Sequence, residues 1–98
     1  MDKNKAIELA TQYKEALSEI LNIKDLYLYG SYSKNTYTSE SDIDIAVVVD
    51  NLSEDYFNDT PLLWKIRRKI SNLIEPVLLT PDSENPLYSD IIATGIRI

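Results

Sequence analysis

The stretch DIDIAVVV, residues 42–49, leaves the chain few options. Ile43, Ile45, Val47 and Val49 alternate with Asp42, Asp44, Ala46 and Val48. A period of two predicts a β-strand that turns the first set to one face and the second to the other. Asp42 and Asp44 then project from the same face at the start of the strand, roughly 7 Å apart. Two unpaired carboxylates at that spacing repel each other and resist burial. They are tolerable if they protrude into solvent, if one is protonated, or if a divalent cation sits between them.

Other segments supply the surroundings of that strand. Residues 2–22 place Ile7, Ala10, Tyr13, Leu17, Ile20 and Leu21 at near-helical spacing, which predicts an amphipathic helix. DLYLY, 25–29, predicts a short strand that ends at Gly30. Ser31 to Ser41 is polar, with room for one helical turn. NLSEDYFND, 51–59, reads as a loop, and Thr60-Pro61 as an N-cap followed by proline at the first helical position. The helix LLWKIRRKISNLI, 62–74, is expected to stop at Glu75-Pro76. EPVLL, 75–79, is a third strand, placed at an edge because Pro76 cannot donate to a ladder. A last helix is expected from Asn85-Pro86 to near Gly95. The order α-β-(α)-β-α-β-α predicts one α/β (α+β) domain over 1–98, a three-stranded mixed sheet flanked by about four helices.

Composition narrows the chemistry. With 44% hydrophobic and 27% charged residues, the 98-residue chain has the balance of a small globular domain. No apolar run approaches a membrane span, and the N-terminus MDKNKAIELA is too charged for a secretory signal, so a cytoplasmic setting is expected. There is neither cysteine nor histidine. Disulfides, thiolate sites, imidazole bases and the usual zinc sites are therefore excluded. Acid–base or metal chemistry must run on carboxylates, which suit Mg²⁺ or Mn²⁺. The net charge of −6 disfavours a DNA or RNA clamp and favours a basic protein partner.

Two features draw further residues toward Asp42 and Asp44. Strands joined by only Ser31 to Ser41 pair most simply antiparallel, which brings Gly30 and Ser31 beside the start of the second strand. Glycine admits close backbone approach to an anion, and serine adds a donor. The helix over 61–74 suits a parallel crossover, which sets Glu75 beside the same strand start. Three carboxylates and an anion-binding turn then converge, the layout of two-metal phosphoryl or nucleotidyl transfer.

Gly30-Ser31, ten intervening residues and Asp42-Ile43-Asp44, with the phrase SDIDIAVVV at 41–49, resembles the signature of minimal nucleotidyltransferases of the DNA polymerase β superfamily. The resemblance runs from the first helix to the closing IIATGIRI. It implies that Gly30 and Ser31 contact nucleotide phosphates and that Asp42, Asp44 and Glu75 hold two Mg²⁺ or Mn²⁺ ions. Glu75 would also accept the acceptor's proton, and Lys34 stands where relatives carry a cation for the triphosphate. Asn35 replaces the glycine usual in that turn, a mild departure because asparagine tolerates left-handed geometry. Glu75 stands in the third carboxylate position and is one methylene longer than aspartate. Stand-alone domains of this kind resemble the antitoxin of HEPN/MNT toxin–antitoxin pairs. That family implies transfer of AMP from ATP to a tyrosine of a helical RNase toxin. Two other readings stand beside it: a non-catalytic antitoxin that acts by binding, and a nucleotidyltransferase subunit acting on a small molecule or RNA end.

Other motifs stay open. Among the seven tyrosines, Tyr32 and Tyr37 invite self-modification or base stacking, whereas Tyr27 and Tyr29 read as packing against helices with hydroxyls at the rim. KIRRK, 65–69, reads as a solvated helix face, and Trp64 as core or interface anchor.

Overall fold

The computed structural model describes residues 2–50, 56–81 and 86–98. The elements are α1 (Lys3–Ser18), β1 (Asp25–Tyr29), α2 (Ser31–Lys34), β2 (Ile43–Val48), α3 (Tyr56–Ile70), β3 (Ile74–Leu79), α4 (Pro86–Thr94) and β4 (Ile96–Arg97). The sheet has the order β3-β2-β1-β4. Strand β2 pairs antiparallel with β1 and parallel with β3, as the connection lengths require. Pro76 lies on the outer strand β3, so its missing N–H costs the ladder nothing on the solvent side.

The period-two split of β2 holds in three dimensions. Ile43, Ile45 and Val47, with Leu26 and Leu28 of β1 and Ile74 of β3, are buried against Ala6, Ala10, Tyr13 and Leu17 of α1 and Leu63 and Ile66 of α3. The opposite face is a smaller cluster of Ala46 and Leu79 with Tyr27, Tyr29 and Val77, covered by Leu87, Tyr88 and Ile91 of α4. The expectation that Tyr27 and Tyr29 pack against a helix is therefore met.

Four expectations need correction. The sheet has four strands, not three: Ile96 and Arg97 pair with Leu28 and Tyr27. Two residues after a glycine are too few to show a period. Helix α1 ends at Ser18, short of 22, because the chain must turn to enter β1; Ile20 is left half-exposed. Residues 56–59 are helical rather than loop, and Pro61 sits inside α3 instead of opening it. The rest of the proposed loop, 51–55, and Asn85 lie outside the described residues. Finally, α3 stops at Ile70, not 74. Arg67 donates through Nη1 to the carbonyls of Asn72 and Ile74, and Ser71 Oγ accepts from the Leu73 amide, closing a tight turn. Ile74 opens β3 opposite Ile43. Its spacing from Ile70 imitates a helix, but its side chain serves the strand.

Helix α1 starts at Asp2, whose carboxylate accepts from the Lys5 amide at 2.8 Å. It is tied to α3 by the wholly buried Tyr13, whose hydroxyl donates to the Leu63 carbonyl at 2.8 Å. Tyr13→Phe should lower stability by about 1 kcal/mol, the ordinary net value of one such bond. Urea unfolding checks this; an unchanged midpoint would remove the bond from any structural role.

Candidate active site

The acidic start of β2 meets its neighbours in a single row. Tyr29 of β1 pairs with Asp44, and Asp44 pairs with Glu75 of β3. Paired residues in a sheet project to the same face, so the three side chains stand abreast at the end of the α4-covered face. The sequence expectation that Glu75 would lie beside the start of the second strand is met, with Asp44 rather than Asp42 as its partner in register. Asp42 lies one residue before β2 and is exposed, as is Glu75; Asp44 is half-buried.

Gly30 closes the site from the β1 side. Its φ of 73° belongs to the left-handed region, and a Cβ there would come within 2.4 Å of Asp44 Oδ2. Glycine is needed because the Asp44 carboxylate packs on its Cα, a reason additional to phosphate approach. Beyond it, Ser31 opens the single turn α2, which Ser33 Oγ and the Lys34 amide tie back to the Gly30 carbonyl, each at 3.1 Å. Asn35 ends the turn at φ 59°, the left-handed geometry expected of it.

Electrostatics single out Asp44. Burial first, then the charges of Glu75 and Asp42, push its carboxyl above the ordinary range. Burial, then Asp44 and Glu75, lift the Tyr29 phenol to about 12. None of the four ion pairs among the described residues includes Asp42, Asp44 or Glu75. Nor are three acidic side chains among the described residues gathered tightly enough to hold an ion unaided. The donor set is all carboxylate and has no cation of its own. Its chemistry therefore fits a hard divalent ion, with phosphate oxygens completing the shell.

The other expected site residues fall differently. Lys34 is exposed and is turned to α4, where its ammonium meets Asp90 Oδ2 at 3.1 Å. Tyr32 is wholly buried in the main core and stacked on Tyr37, with centroids 4.8 Å apart, so its ring is not offered to a base. Its hydroxyl has no hydrogen-bond partner among the described residues. The cleft between α1 and β4, lined by Ile7, Lys14, Glu15, Ile96, Arg97 and Ile98, contains none of Asp42, Asp44 and Glu75. Sequence reasoning missed Tyr29 and Asp90 as neighbours of the site. Antiparallel pairing from Gly30 backwards would have found Tyr29; nothing in the spacing announces Asp90.

The chain as a whole is similar to known proteins. Residues 10–95 match the nucleotidyltransferase domain family. The chain belongs to that family. This nucleotidyltransferase is 33% identical over 92 residues to a Methanocaldococcus jannaschii protein named "Putative protein adenylyltransferase", covering 92% of this chain and 86% of the relative. Its fold is similar to a crystal structure described as a "putative nucleotidyltransferase" from Sulfolobus solfataricus, with TM-score 0.69 at 21% identity over 97% of this chain and 80% of that one. It is also similar to a chain in a mutant of the toxin–antitoxin complex MntA-HpeT, with TM-score 0.56 at 26% identity, covering all of this chain and 72% of that one.

The raised Asp44 carboxyl makes a pH prediction for the metal-free nucleotidyltransferase. A carboxyl whose folded pKa exceeds its unfolded one contributes stability below the unfolded value and loses it as pH rises through the folded value. At neutral pH, Asp44 therefore works against the fold. Asp44→Asn should be more stable than the parent in EDTA at neutral pH, and the gain should shrink as pH falls toward the ordinary carboxylate range. Urea midpoints of the two proteins across that range check it, and a gain that grows toward acid would contradict it.

Proposed function

We propose that this nucleotidyltransferase moves AMP from ATP onto a tyrosine of a partner protein, a HEPN-type RNase toxin, and thereby acts as its antitoxin. The row Asp44–Glu75, with Asp42 beside it and Gly30-Ser31 at its end, carries the reading. Asp42, Asp44 and Glu75 would hold Mg²⁺ or Mn²⁺, in a pair of ions with the nucleotide. Bound there, the metal supplies stabilisation of charge on the attacking and leaving oxygens.

The protein's own groups do the rest. Gly30 and Ser31 hold the phosphate tail, and Lys34 exchanges Asp90 for a phosphate oxygen when the nucleotide arrives. Glu75 takes the proton from the incoming hydroxyl, since it stands exposed on the outer strand where a second molecule can reach it. Asp44, held on Gly30, keeps a fixed position opposite it. No described helix is long and apolar enough to cross a membrane. A soluble cytoplasmic pair is the setting this reading assigns. The protein adenylyltransferase name of the relative and the toxin–antitoxin complex of the structural neighbour support both acceptor and partner.

The test is to incubate the protein with its co-transcribed neighbour, Mg²⁺ and each nucleoside triphosphate, and to weigh both chains. The neighbour should gain AMP from ATP. Asp44→Asn should cut the rate by about a thousandfold or more while the complex still forms. If that variant protects cells fully while transferring nothing, the chain acts by binding alone. Ser31→Ala should weaken Mg²⁺-ATP by about 1–2 kcal/mol in calorimetry, one charge-assisted hydrogen bond. Unchanged affinity would remove Ser31 from the phosphate site.

A further inference from the structure

The chain carries 16 acidic and 10 basic residues, so its cations should be neutralised internally with ease. Most are. Lys5, Lys24, Lys34 and Arg97 pair with carboxylates. Lys3 donates to Asn35, Lys14 to the Ile98 carbonyl and Arg67 to the turn after α3. The three left without a partner among the described residues are Lys65, Arg68 and Lys69, all exposed and all on α3. Lys65 and Arg68 share a groove with the only tryptophan, Trp64, which is 38% exposed, and Lys69 follows one turn after Lys65. Arg67 lies over the Trp64 ring at 4.6 Å and holds it in place. Pro61, Trp64, Lys65 and Arg68 follow helical spacing and, with Thr60, line one groove on the outer side of α3.

We propose that this groove docks an acidic segment of the protein acceptor, with Trp64 as apolar anchor and Lys65, Arg68 and Lys69 as the charged rim. The patch is opposite in sign to the chain as a whole, which makes it selective for a locally acidic surface on any partner. A tryptophan beside cations has the anatomy of an interface centre. The topology adds a reason for its position. A helix that crosses over between parallel strands runs back along them, so the last turn of α3 lies at the end of the sheet where β3 begins with Glu75. Because α3 covers the face opposite the Asp44–Glu75 row, a partner held on its outer side reaches the site by passing around that end of the sheet. RNA suits the groove less well, because a phosphate strand leaving α3 at that end meets the exposed Glu75 and Asp42.

The docking role rests on the reading that the acceptor is a protein, so the test has two arms. Trp64 is itself the probe. A glutamate-rich peptide carrying leucines should shift its emission to the blue, saturably and reversibly with salt, whereas oligouridylate should not. Lys65→Glu with Arg68→Glu, both on exposed helix positions that tolerate glutamate, should weaken peptide binding by roughly tenfold or more. In the second arm, the same double variant should raise KM for the acceptor by roughly tenfold while kcat and Mg²⁺-ATP affinity stay as in the parent. No shift with the acidic peptide, a shift with oligouridylate instead, or self-association through α3 would each overturn the docking site. So would an unchanged acceptor KM. If the parent modifies no protein at all, the acceptor reading fails and the fluorescence arm alone decides the groove.

Discussion

Strand β2 is hydrogen-bonded on both sides, to β1 in one direction and to β3 in the other, and its register governs everything else in the molecule. Ile43, Ile45 and Val47 commit one face to α1 and α3. The same alternation then obliges Asp44 to stand on the opposite face, in a row with Tyr29 and Glu75. A slip of one residue would bury the carboxylates and expose the isoleucines. The apolar half of the strand therefore holds the acidic half in position. Stability and chemistry are set by one register.

The cost of that arrangement is local. Asp44 is half-buried beside two other carboxylates, with its carboxyl pushed upward and no described cation near enough to pair. Gly30 intensifies the burial by letting the carboxylate rest on its Cα. A divalent ion held there, with the phosphates that come with it, would stabilise such a cluster and couple occupancy of the site to stability. Charge is handled differently elsewhere. Among the described residues, seven of the ten cations are tied to the protein's own groups, and the remaining three lie on α3, the helix that carries Trp64. An acidic protein thus retains one patch of the opposite sign, on the helix whose end approaches the site.

The parts legible from sequence were those written in short-range periodicity. Leu26 to Tyr29 and Ile43 to Val48 alternate cleanly, and the two connections between strands dictate antiparallel and parallel pairing. From these, Glu75 comes out beside the acidic start of β2, although its partner in register is Asp44 rather than Asp42. Asn35 in left-handed geometry and Pro76 on an outer strand were legible too, because each residue's backbone limits are local. The misreadings came where tertiary contacts override a local pattern. Ile74 fits a helical stripe, but the Arg67 side chain closes the turn before it and the ladder to β2 claims it. Pro61 has the local character of a helix start, yet a packed helix absorbs one missing hydrogen bond in its second turn. Strand β4 has only two residues and exists through its pairing with β1. Tyr32 lies next to the Gly30-Ser31 turn in sequence, but its ring belongs to the core.

The central claim is that Asp42, Asp44 and Glu75 form a divalent-metal site completed by the nucleotide. Mn²⁺ electron paramagnetic resonance tests it directly, because the signal of free Mn²⁺ falls as the ion is bound. Free Mn²⁺ should be little affected by the protein alone. With a non-hydrolysable ATP analogue present, the protein should deplete it beyond what the analogue does by itself. That additional depletion should disappear in Glu75→Gln. Depletion by Glu75→Gln equal to that of the parent, or none by either protein with the analogue present, would contradict the account.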